Sequence, residues 1–140
     1  MHTHDEISAQ FAAWNAALQT GDADEVVALY APDAVLLPTF SNEVRRSGEA
    51  MRSYFVKFLE RGPSARVEDG VVRVYGDVAI HSGIYAFTFV SGPLREARAR
   101  FTFVYRCVGD GWRIVEHHSS AMPEPAALLR RPTAAGDAGR

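Results

Sequence analysis

Apolar residues recur every three to four positions at Ile7, Phe11, Trp14 and Leu18, and this spacing predicts an amphipathic helix over residues 5–20 that ends at Gly21. Asp22 followed three residues later by Glu25 has the form of a helix start, and Val26, Leu29 and Tyr30 supply the apolar side of a second, short helix. Ala31-Pro32-Asp33 stops it, and residues 35–37 begin an extended segment. A polar Ser41-Asn42-Glu43 turn leads to a short return strand at 44–46. Ser47 and Gly48 open a third helix whose apolar stripe is Met51, Tyr54, Phe55, Phe58 and Leu59, and Gly62-Pro63 breaks it.

Beyond Pro63 the period changes to two. Strands are predicted at 66–74, 78–90, 95–108 and 112–120, punctuated by Gly76-Asp77, Ser91-Gly92-Pro93 and Gly109-Asp110-Gly111. Helices first and a long antiparallel meander last define an α+β arrangement, a single domain over residues 1–125 with its helices on one face of a curved sheet. Residues 126–140, rich in proline, alanine and glycine, read as a flexible or docked tail.

Composition narrows the function classes. With 47% hydrophobic and 23% charged residues the 140-residue chain has the balance of an ordinary soluble domain, and no apolar run reaches the ~20 residues of a membrane helix. The net charge of -2 leaves no electrostatic footprint for nucleic acid. No basic-then-apolar signal opens the chain, so a cytoplasmic location is expected. Cys107 is the only cysteine, and Lys57 the only lysine among fifteen basic residues, so disulfide and Schiff-base chemistry have little material. Phosphate loops, dinucleotide fingerprints and nucleophile elbows are absent, His117 and His118 point to opposite sides of a strand, and no cofactor or metal is expected.

The last hairpin carries the sharpest signal. A tight turn at Gly109-Asp110 places Cys107 opposite Trp112, Tyr105 opposite Ile114, Phe103 opposite Glu116 and Phe101 opposite His118. A carboxylate and an imidazole would then share a wall with aromatic rings, where an ionisable group is costly unless paired or used. One reading makes Glu116 and His118 the catalytic or ligand-bonding groups of an apolar pocket; the other pairs Glu116 with an arginine such as Arg52 and ties His118 to a backbone carbonyl. His81, Tyr85, Phe87 and Phe89 share one face of the preceding strand, and loop length decides whether that face turns inward. His81 reads as structural, and His2 and His4 as part of a loose N-terminus.

The segments Trp14-Asn15-Ala16-Ala17-Leu18, Tyr30-Ala31-Pro32-Asp33-Ala34-Val35, Arg52-Ser53-Tyr54-Phe55, Tyr75-Gly76-Asp77-Val78-Ala79 and Gly111-Trp112-Arg113-Ile114-Val115 with His118-Ser119-Ser120 resemble the nuclear transport factor 2-like superfamily. Within it they are similar to the SgcJ/EcaC branch and to the association domain of calmodulin-dependent kinase II. The resemblance implies a cone-shaped barrel, a homodimer formed through the sheet, and a ligand site at the cone's open end; the residues expected to bind the ligand are Trp14, Arg52, Tyr54, Tyr85, Phe101, Phe103 and Tyr105. Arg52 matches a pocket arginine of the kinase domain, whereas Tyr85 and Phe103 stand where that domain has two more, which implies a more apolar pocket and a larger hydrophobic ligand. The branch implies an accessory role in polyketide or enediyne biosynthesis. Three readings follow: a binder of a hydrophobic small molecule, a cofactor-free acid/base enzyme with Arg52 or Tyr54 stabilising an oxyanion, and a homo-oligomerisation module.

Overall fold

A computed structural model describes residues 1–124 of the chain. The predicted tail at 126–140 lies outside the described residues. Three helices precede the long strands: α1 (His4–Gln19), α2 (Ala23–Val27) and α3 (Gly48–Leu59). Each starts on a side-chain cap that satisfies an orphan backbone amide. Thr3 accepts from Glu6 N–H at 3.2 Å, Asp22 from Asp24 N–H at 2.9 Å, and Ser47 from Ala50 N–H at 3.1 Å. The N-terminus is tied down, contrary to the sequence expectation: His2 lies 3.0 Å from Glu6 and packs edge-on against Trp112.

The strands are β1 (Tyr30–Leu37), β2 (Pro63–Tyr75), β3 (Val78–Phe89), β4 (Glu96–Val108) and β5 (Gly111–Ala121). They form one sheet in the order β1-β5-β4-β3-β2. The last four make the predicted antiparallel meander, while β1 joins β5 in parallel. Tyr30 opens β1 and does not close the second helix, because the turn at Ala28 ends α2 early. The return strand expected at 44–46 reduces to one bridge between Leu36 and Arg45.

The helices lay their apolar stripes on one face of the sheet, where Ile7, Phe11, Trp14 and Leu18 meet Tyr85, Phe87, Phe101, Phe103 and Tyr105 in a single core. A β-bulge at Glu68 bends β2 across this core. Gly83 makes the bend possible: its φ is 155°, and a Cβ there would sit 1.8 Å from the Asp69 carbonyl oxygen. No helix among the described residues is long and apolar enough to cross a membrane.

Candidate functional site

A second bulge sets the chemistry of the interior. Trp112 and Ile114 pair with Cys107 and Tyr105 as the alternation requires, but Val104 then pairs with Glu116, leaving Val115 without an opposite residue. From that point every side chain of β5 changes face relative to an unbroken strand. Phe103 stands opposite His117, not Glu116, and Phe101 opposite Ser119, not His118. The expected wall of Glu116 and His118 is thereby corrected: His118 is exposed, Glu116 lies on the outer face, and His117 and Ser119 are buried.

His117 stacks on the Phe103 ring at 4.0 Å between centroids and is bonded at both nitrogens. Nδ1 lies 2.8 Å from the Tyr30 hydroxyl, and Nε2 lies 3.1 Å from the Tyr85 hydroxyl. Trp14 Nε1–H donates to the Tyr30 oxygen at 3.1 Å. An indole nitrogen only donates, so the single Tyr30 proton is free to go to Nδ1, which leaves the His117 proton on Nε2, donated to Tyr85. This assignment gives the donors of Trp14, Tyr30 and His117 one acceptor each. Burial, and secondarily the neighbouring His118, depress the His117 pKa to about 3, so the ring is neutral near pH 7. Burial pushes the hydroxyls of Tyr30, Tyr85 and Tyr105 upward, and that of Tyr54 to about 12.

The interior is nearly full. A cavity of about 10 Å³ lies between α3, β1 and the sheet, lined in part by Trp14, Tyr54, Tyr85, His117 and Ser119. That is room for about one water molecule. Thr39 and Ser119 hydroxyls are bonded to each other on its edge. Of the predicted ligand residues, Trp14, Tyr54 and Tyr85 reach this cavity, whereas Phe101, Phe103 and Tyr105 are packed into the core beside it. The Tyr105 hydroxyl is buried without a partner. Arg52 does not enter the interior: it sits beside the buried stripe of α3, half exposed, and pairs with Asp24 of α2 at 2.8 Å. His81 is buried between Phe11 and Phe101, and burial lowers its pKa.

The face of the sheet away from the helices is uncovered. One row across it runs Arg73, Ile80, Val104, Glu116, each residue paired with the next on the neighbouring strand. Val71, Tyr75 and Val78 extend the apolar part of this face at exposures of 55%, 60% and 38%. Arg98, Arg100 and Arg106 of β4 rim it.

Three helices on one face of a five-stranded sheet with a buried polar cluster define an NTF2-like, cystatin-like domain. A solved structure from Xanthomonas campestris, described as a candidate calcium/calmodulin dependent protein kinase II association domain, is 45% identical over 89% of this chain and 91% of its own, with a TM-score of 0.85. The model of the calcium/calmodulin dependent protein kinase II association domain family matches residues 3–123, and the chain belongs to that family. A candidate dehydratase of the NTF2-like family from Streptomyces avermitilis, 19% identical over 86% of this chain and 96% of its own with a TM-score of 0.75, shares the fold. So does a cystatin-like protein from Nostoc punctiforme, 19% identical over 88% of this chain and 93% of its own with a TM-score of 0.72. No curated protein matches.

Proposed function

We propose that this domain is a self-association module that forms a homodimer through the outer face of its sheet. The observation that carries the reading is the row Arg73, Ile80, Val104, Glu116, which is basic at one end, acidic at the other and apolar between. A two-fold axis running along the strands between two such sheets reverses the row. It lays Arg73 over Glu116 of the partner subunit and stacks the apolar centres on each other, the self-complementarity that an isologous interface requires. Strands up to 13 residues long present a face on the order of 800 Å², the share each partner contributes to a standard interface. Membership in an association-domain family supports the same reading. Sedimentation velocity of the full chain tests it: a dimer or larger species is expected, and a monomer at micromolar concentration would remove it.

A second reading, small-ligand recognition, is favoured by the neutral His117 held between two tyrosine hydroxyls at the cavity edge. Such a cluster reads the polar end of a ligand by hydrogen bonding. It is poorly suited to taking a proton, because an imidazole with a pKa near 3 is a weak base at neutral pH. Glu116 and His118 lie outside the cavity, so acid/base chemistry on a bound substrate has no group of matched strength within it. A polyketide-sized ligand, as an accessory role in natural-product biosynthesis would require, needs the cone to open well beyond its present ~10 Å³. Thermal stabilisation by a small neutral ligand, lost in Tyr85→Phe, supports this second reading; no stabilisation across a fragment set counts against it.

A further inference from the structure

Outside the core, on the helix side of the molecule and away from the proposed dimer face, lies a cleft of about 530 Å³. Its walls are Phe40 from the segment after β1, Arg45, and Tyr54, Lys57, Phe58 and Arg61 from α3 and its end. Tyr54 and Phe58 belong to the buried stripe of α3 and line the cleft where it meets the core, while Lys57 and Arg61, four residues apart, supply its cations.

The charge of the cleft is unbalanced. Three cations line it against one carboxylate, Glu43, which is largely exposed and stands 3.7 Å from Arg45. Among the described residues no carboxylate pairs with Lys57 or Arg61. Arg61 lies instead over the ring of Phe40 at 4.5 Å and near Phe89 at 5.6 Å. Arg45 is held at 5.7 Å over the Tyr54 ring, donates from Nη1 to the Ala50 carbonyl and from Nη2 to Ser41, and its buried Nε–H has no acceptor. A guanidinium with a buried N–H unpaired, beside two cations without counter-ions, is a site short of an anion.

The rings specify the rest. Phe40 is 38% exposed although it packs on Phe58 and Phe89, so an apolar face is open to the cleft beside the cations. Lys57 lies in the last turn of α3 and Arg61 just beyond the Glu60 cap, where the negative end of the helix dipole offsets part of their charge. That setting suits a monoanion better than a phosphate dianion.

We infer that this cleft binds a small aromatic carboxylate, its ring against Phe40 and Phe58 and its carboxylate on Lys57 and Arg61, with Arg45 behind them. Nothing in the proposed dimerisation depends on it, and its cations Arg45, Lys57 and Arg61 do not line the inner cavity, with which it shares only the walls Tyr54 and Phe58. Guanidinium and ammonium contacts to a carboxylate are charge-assisted and anchor it in a partly desolvated cleft.

The test uses the full chain and three probes of one ring size: benzoate, benzyl alcohol and phenyl phosphate, with affinities from calorimetry and the binding site from NMR shifts. Benzoate is expected to bind at least about tenfold tighter than either other probe, and to lose about tenfold or more in Lys57→Gln or Arg61→Gln. Its shifts should cluster at Phe40 and Arg61 and leave His117 unmoved. Equal affinity for benzoate and benzyl alcohol, tighter binding of phenyl phosphate, no loss in both glutamine variants, or no binding of benzoate would each overturn the inference. Both substitutions are at the surface, so loss of fold, read by circular dichroism, is not expected. The oligomeric state measured on the same samples keeps this result separate from the dimer proposal.

Discussion

Val104 stands opposite Glu116 while the next residue, Tyr105, stands opposite Ile114, so a single unpaired residue, Val115, decides which side of β5 faces the core. One face gains a neutral imidazole between two tyrosines. The other gains a carboxylate opposite an apolar row that ends in an arginine. Both candidate functions arise from this one irregularity in the ladder.

His117 makes stability depend on pH in a definite direction. Its folded pKa, about 3, lies below the ordinary 6.5, so between these values the unfolded chain binds a proton that the folded chain refuses. Stability is therefore complete above about pH 6.5 and falls as the pH drops toward 3, by roughly 3 to 5 kcal/mol at the low end. His81, also depressed by burial, adds in the same direction. Chemical denaturation at pH 7.5 and pH 4.5 measures the slope, and His117→Phe should flatten it; an unchanged slope in that variant would assign the acid sensitivity elsewhere.

The hydrogen-bond chain predicts an order among tyrosine variants. Tyr30→Phe strands both Trp14 Nε1–H and His117 Nδ1, while Tyr85→Phe strands only the His117 Nε2–H, next to a cavity that can admit a water. Each stranded buried group costs roughly 1 to 3 kcal/mol, so Tyr30→Phe should be the more damaging. Urea denaturation of both variants and the double variant checks this, and equal losses would mean the chain is not directional.

Gly83→Ala should be among the worst single substitutions in the sheet. The added methyl carbon would meet the Asp69 carbonyl oxygen at 1.8 Å, and backbone must move to relieve it. A loss on the order of 3 kcal/mol or more, or failure to fold, is expected. A melting temperature within a few degrees of the parent would show that β2 and β3 part easily there.

Arg52→Ala should change little. The ion pair with Asp24 is exposed on both sides, and such pairs contribute no more than about 1 kcal/mol. Denaturation together with binding of any interior ligand tests the point; a selective loss of binding would restore Arg52 to the pocket assigned to it by resemblance.

The fold was legible because its signals are redundant. The stripes of α1 and α3, the helix starts at Asp22 and Ser47 and the turn at Gly109-Asp110 each agree with the structure, whereas Leu29 and Tyr30 fall beyond the end of α2. The site was less legible for a local reason. The run Glu116-His117-His118-Ser119-Ser120 is polar in both phases, so alternation could not show which residues turn inward, and the bulge at Val115 contains no glycine to announce it. Thr39 and Ser119 went unnoticed as ordinary small polar residues. The parallel pairing of β1 with β5 joins residues more than eighty positions apart, which no local pattern reports.

The most direct test of the central claim is a charge-reversal cycle on the outer row, read by sedimentation velocity. The parent chain should sediment as a dimer or a larger species. Arg73→Glu and Glu116→Arg should each weaken association about tenfold or more, and the two together should restore it, because the reversed row is again complementary under the two-fold axis. A monomeric parent, or single variants that associate as tightly as the parent, would contradict the account.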